Sequence, residues 1–197
     1  MPDTLHFWFD FASTYSYLSA MRIERDAARR GVRVEWQPFL LGPIFTDQGW
    51  TTSPFNIYPA KGRYMWRDME RLCASRNLPL TRPDPFPQNS LKAARLALTL
   101  PDSGPRAAFA RAVFSAEFGD GRDISDDMVL QDALSQAGAA PEMLDRLSDP
   151  AIKAALFEQV DRAEALGLFG APGFVVGSDL FWGDDRLDMA IEQAAQD

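Results

Sequence analysis

The residues best placed to do chemistry stand near the start of the chain. There the run Phe7-Trp8-Phe9-Asp10-Phe11 stops at Ala12 and Ser13-Thr14-Tyr15-Ser16 follows. Two serines three positions apart, where a strand-like run hands over to a helix-like one, set hydroxyls beside a helix start. Such a place favours negative charge, because the first N–H groups of a helix lack intrahelical partners. What those hydroxyls act on is limited by what else the chain owns, which is one cysteine, Cys73, and one histidine, His6. A single cysteine excludes an intrachain disulfide and any two-cysteine redox centre, and a Cys/His zinc site lacks ligands, so no metal is expected. A Ser-His-Asp hydrolase would require Ser13 to meet His6 from the middle of the preceding strand, and that option is discarded. His6 and Cys73 are read as core residues. A reactive group stronger than a hydroxyl must therefore come from a small molecule.

The elements that hold these residues follow from periodicity. Leu5 to Phe11 is nearly continuous in large apolar residues, the pattern of a strand buried on both faces. Tyr17 to Ala28 has helical spacing closed by Gly31, and Val32 to Phe39 alternates as a strand. The opening is β-α-β. Residues 42–60 are rich in Gly, Pro and Thr and read as loop. Helical patterns follow over about Lys61 to Asn77 and Asn89 to Leu100, with further starts near Pro105, Ser125, Pro141 and Asp149-Pro150. The tail returns to strands at Gly173 to Val176 and Leu180 to Trp182, joined by a Gly177-Ser178-Asp179 turn, and closes with a helix from Asp184 to Ala195. The order is β-α-β, helical block, β-β-α, an α/β domain split by an insertion: residues 1–41 and 168–197 for the split domain, 42–167 for the all-helical one.

Bulk composition narrows the partners. The chain has 197 residues, 46% of them hydrophobic, enough to bury a sizeable core. A net charge of -8 makes a phosphate-tracking surface improbable, so nucleic acid is not an expected partner. No apolar run approaches the roughly 18 residues of a spanning helix, and the N-terminus lacks a basic segment. No membrane partner and a cytoplasmic location are expected.

Three ordered stretches, FDFASTYSYL, PAKGRYMWRDMERL and GAPGFVVGSDLFWGDDRLDM, together with FGDGRDISD, carry a resemblance that spans essentially the whole chain. The sequence resembles the 2-hydroxychromene-2-carboxylate isomerases and kappa-class glutathione transferases, in the DsbA-like branch of the thioredoxin superfamily. The resemblance implies a thioredoxin-like fold with an inserted helical domain, glutathione as cofactor and a homodimer. It places Ser13 where the first redox cysteine of thioredoxin-like proteins stands, holding the glutathione sulfur. Here Ser13-Thr14-Tyr15 departs from the usual Ser-Pro-Phe or Ser-Pro-Tyr, so the turn is less rigid. Serine before an apolar run is more often a plain helix cap.

By the same resemblance, Ala171-Pro172 is the cis-proline loop, with Ala171 pairing its backbone with the cysteinyl part of glutathione. Asp185, and less distinctly Asp184, face the γ-glutamyl group, Asp184 serving equally well as a helix cap. Lys61 reaches the glycyl carboxylate or an acidic substrate. Phe45, Tyr64 and Trp66, with Trp50 and Phe55, are candidates for the acceptor-substrate wall, although aromatic residues at such spacing are more often core.

Thiol chemistry sets the size of the task. A free thiol titrates near 8.5; lowering that to about 6.5 takes the thiolate from a few per cent to roughly three-quarters at neutral pH, for about 2.7 kcal/mol. A donating hydroxyl contributes about 1.5 to 3 kcal/mol and a helix N-terminus about 0.3 to 1, which together suffice. The expected function is a glutathione-dependent isomerase of a 2-hydroxychromene-2-carboxylate-like aromatic carbonyl acid. The alternatives are a kappa-like glutathione transferase or peroxidase, and a non-catalytic glutathione-binding DsbA-like protein. A disulfide oxidase is excluded by the missing cysteines.

Overall fold

The computed structural model describes residues 4–101 and 104–196. Its centre is a four-stranded sheet in the order β2-β1-β3-β4, with β1 at Thr4–Phe9, β2 at Arg33–Pro38, β3 at Gly173–Val176 and β4 at Asp179–Trp182. β1 and β2 run parallel, while β3 is antiparallel to β1 and β4. The two ends of the chain therefore share one sheet: Phe7 has Trp36 as neighbour on one side and Phe174 on the other. Alternation along β1 sends Leu5, Phe7 and Phe9 into the main core and Trp8 into a second cluster with Phe39, Ile44 and Leu168. Both faces of β1 are covered, which is why its sequence is apolar almost without break. His6, expected in the core, instead pairs its Nδ1 with Glu35 Oε2 at 3.2 Å, because its register neighbour on β2 is that glutamate. Cys73 is buried as expected.

The helix expected from Tyr17 to Ala28 is broken into α1, Thr14–Ala20, and α2, Ile23–Ala28. Between them the Arg22 backbone leaves helical geometry, with φ -129° and ψ -23°. Its guanidinium bonds the Asp184 carbonyl and the Asp188 carboxylate near the other end of the chain. Residues 42–60, expected as loop, hold α3, Leu41–Asp47, and α4, Pro54–Ile57, while α5, Pro59–Arg76, starts two residues earlier than its pattern. The prolines that read as punctuation occupy first turns, where a missing N–H costs no hydrogen bond. Gly62 lets α4 and α5 touch, since a Cβ there would lie 2.3 Å from the Phe55 carbonyl oxygen.

The helical block continues with α6, Leu91–Thr99, α7, Pro105–Phe114, a π turn at Ser115–Gly119, α8, Asp127–Gln136, a 3-10 stretch at Pro141–Ser148, and α9, Pro150–Ala165. Asp149 caps α9 by accepting the Ala151 N–H. A 3-10 turn, Asp184–Arg186, leads into α10, Leu187–Gln196. Phe11 packs on Phe109 and Phe114 of α7, and Phe9 meets Phe114, so the block shares the core of the sheet. This is an α/β, thioredoxin-like fold with a helical insertion. Among the described residues no helix is long and apolar enough to cross a membrane.

Candidate active site

Ser13 caps α1, but not only that. Its Oγ accepts the Ser16 N–H at 3.2 Å and donates to the Ala171 carbonyl at 3.0 Å. The Ala171-Pro172 bond is cis, so the first turn of α1 and the loop before β3 face each other across a single side-chain contact. Pro172 is buried, and its carbonyl accepts the Gly183 N–H at 2.9 Å, which ties the same loop to the turn before α10. Ser16, three residues on, is fully buried.

These pieces close one end of a cavity of about 1130 Å³, whose wall includes Ser13, Ala171, Lys61, Asp184, Asp185 and Phe45. Pro172 lies behind that wall. Lys61 is exposed at the α5 start, its ammonium 4.7 Å from the centre of the Tyr58 ring. Asp185 is largely exposed and meets Arg186 at 2.8 Å. Phe45 and Trp50 pack together at 5.6 Å, and Phe55 and Phe86 extend the apolar wall. Phe169 and Trp182 form an exposed aromatic pair, 4.9 Å apart, that also lines the cavity. A Cβ at Gly170 would come within 2.5 Å of the Trp182 indole nitrogen, so a larger residue there would have to displace that exposed ring.

Two expectations for the substrate wall are corrected. Tyr64 is 63% exposed, and Trp66 packs edge-on against Phe86 at 4.9 Å; neither lines the cavity. The face of α5 explains this. Lys61, Asp68, Leu72 and Arg76 recur at helical spacing and turn toward the cavity, while Met65, Met69 and Cys73 turn into the core. Tyr64 falls on the solvent side of that pair of stripes and Trp66 on the far side of the buried one. Asp184 is placed in the wall but makes no side-chain cap; it is 4% exposed, with its carboxylate bonded to Ser19 and Arg76.

Sequence reasoning missed three polar groups of this cavity. Asp68 accepts the Tyr15 hydroxyl at 2.9 Å, which with burial pushes the phenol's titration upward. Arg76 ends the same stripe. Both were detectable from helical spacing, Asp68 seven residues after Lys61 and Arg76 eight residues further on. Asp10 had no such signal: it is buried, and accepts from Ala12 N–H, Leu41 N–H and Ser90 Oγ at 3.0, 2.8 and 2.7 Å. One carboxylate thus pins the Ser13 loop, the start of α3 and the start of α6. Burial raises its titration, and the three donors oppose that.

Glu117, in the π turn, is fully buried, and neither carboxylate oxygen has a partner among the described residues. Burial, with Asp10 and Asp123 as charged neighbours, holds its carboxyl well above the ordinary carboxylate range.

A β-α-β unit and a β-β-α unit sharing one sheet around a helical insertion, with a capping serine opposite a cis-proline, define a DsbA-like thioredoxin fold stripped of its redox cysteines. The chain belongs to the DSBA-like thioredoxin domain family, which it matches over residues 4–194. It is 30% identical over 190 residues to the 2-hydroxychromene-2-carboxylate isomerase of Sphingobium xenophagum, covering 95% of this chain and 96% of that one. It is 26% identical over 204 residues to glutathione S-transferase kappa 1 of Homo sapiens, covering 96% and 89%. A solved 2-hydroxychromene-2-carboxylate isomerase structure superposes with a TM-score of 0.88 at 24% identity, over 98% of this chain and 95% of that one.

Proposed function

We propose that this protein is a glutathione-dependent isomerase of an aromatic carbonyl acid of the 2-hydroxychromene-2-carboxylate type. The observation that carries the reading is the Ser13 hydroxyl, held at the first turn of α1 against the carbonyl of a cis Ala171-Pro172. The residues present fit glutathione: a hydroxyl for its sulfur, a backbone edge at Ala171 for its cysteinyl amide, Asp185 for its ammonium and Lys61 for a carboxylate. Bound glutathione would supply a thiolate nucleophile for a conjugated double bond and would be regenerated, not consumed.

The chain's own task is to favour that anion and to hold the acceptor. Ser13 Oγ turns its proton from the Ala171 carbonyl to the sulfur, a rotation about one side-chain bond, while keeping its acceptor role toward Ser16. Phe45, Trp50 and Phe55 wall an apolar region of the cavity that suits a flat ring. A kappa-like transferase or peroxidase would use the same thiolate, and the kappa-class relative keeps that reading second; it consumes glutathione where an isomerase does not. The resemblance further supports a homodimer, which sedimentation would check.

The test is calorimetric titration of glutathione into the wild type and Ser13→Ala, with thiolate absorbance followed against pH. Ser13 activates the thiol if the wild type lowers its titration by about two units and the variant loses most of that shift, about 1.5 to 3 kcal/mol. Binding with no shift in either protein would leave a glutathione-binding module, and no binding at all would end the glutathione reading.

A further inference from the structure

Asp184 and Arg76 form the most saturated ionic contact in the cavity wall. Arg76 donates from Nη1 to Oδ1 at 3.1 Å and from Nη2 to Oδ2 at 2.6 Å, a two-pronged pairing. Ser19 Oγ donates to Oδ1 at 2.9 Å, and Arg22 Nε stands 3.5 Å from the same oxygen. Arg22 spends its other nitrogens on the Asp184 carbonyl, Asp188 and Asp26. With both oxygens engaged by fixed donors, Asp184 has little capacity for a ligand ammonium. A bare carboxylate in this position would also repel an incoming one, and the two arginines cancel that charge.

Arg76 is different. A guanidinium carries five N–H groups, and Asp184 takes one from each terminal nitrogen, so three remain. The side chain is 27% exposed, and it lines the cavity along with Asp68, Thr14 and Asp185. Lys61 and Arg76 stand near opposite ends of α5, and both line the cavity. Asp68 and Asp185 line the same cavity and bring two carboxylates as partners for an ammonium.

The geometry points to Arg76 as the ligand of the α-carboxylate in the γ-glutamyl group, with Asp184 as the positioning residue that fixes its guanidinium. This assignment rests on the glutathione reading above. It matches the zwitterionic amino-acid end of glutathione with a cation and two carboxylates. Asp184→Asn would keep Arg76 but loosen it.

The test compares glutathione with its analogue lacking the α-carboxylate, γ-aminobutyryl-cysteinyl-glycine, by calorimetry. Wild type is expected to bind glutathione at least about tenfold more tightly, the ratio one charge-assisted hydrogen bond gives. Arg76→Gln leaves Asp184 buried without its main partner and is expected to fold poorly, so Arg76→Gln combined with Asp184→Ser is the decisive variant. In it the ratio should fall to about twofold or less, while the thiolate shift that depends on Ser13 persists. Arg76→Lys should keep part of the ratio, and Asp184→Asn should lower it without abolishing binding. A folded double variant that binds glutathione with the full wild-type ratio overturns the role of Arg76 alone. Absence of glutathione binding in the wild type overturns the glutathione reading and this assignment together.

Discussion

Replacing Glu117 by glutamine isolates the cost of a buried acid that no neighbour answers. In the folded chain its carboxyl is fully buried, has no donor among the described residues, and is flanked in charge by Asp10 and Asp123, so its proton is retained well above the ordinary value of 4.5. In the unfolded chain the same group ionises near that value. Below it both states hold the proton and pH has no leverage. Above it the unfolded state releases a proton that the native state keeps, and native stability falls by about 1.4 kcal/mol per pH unit until the native group itself ionises. The usable range therefore runs from about pH 5.5, where the unfolded group is mostly ionised, up to the pH at which the native group ionises. Glu117→Gln removes this slope. Glutamine brings its own unpartnered amide, costing about 1 to 3 kcal/mol at every pH, so the slope is the observable and the absolute stability is not. Asp10, also raised by burial, keeps a slope of the same sign in both proteins and cancels in the difference. The assay is urea unfolding of both proteins across that range. Parallel curves of stability against pH would refute the reasoning, since they would mean that Glu117 ionises in the native state or is answered by a donor.

Two further outcomes follow from contacts outside the charge network. Gly62→Ala drives a Cβ against the Phe55 carbonyl where α4 meets α5, and unfolding measurements should register a loss of about 1 to 3 kcal/mol. Cys73 is buried, and burial pushes its thiol up to about 11, so a disulfide reagent at mildly alkaline pH should label the native chain at least about 10²-fold more slowly than the unfolded one.

Much of the frame was readable because it depends on neighbours in the chain. The two-sided burial of β1 shows in an unbroken apolar run, the start of α1 in a serine before helical spacing, and the β3-β4 turn at Gly177 in a turn signal that φ of 55° satisfies. Ser13, Ala171, Lys61 and Asp185, which the family resemblance singles out, line one cavity. What the pattern could not rank were residues whose roles are set by partners far away in sequence. Asp184 and Asp185 are adjacent and chemically identical, yet Arg76, 108 positions away, claims the first and leaves the second in the open. Tyr64 and Trp66 have the right chemistry for a substrate wall, but α5 is rotated so that Asp68, Leu72 and Arg76 face inward instead. The proline-rich stretch before α5 reads as loop because proline forbids a helix interior and welcomes a helix start alike. Local sequence therefore determined which backbone segments form and which hydroxyl stands at the first turn of α1. Tertiary packing decided which charges are spent on one another and which remain for a ligand, because pairing energy depends on distance in space and on burial, and neither is written in residue order.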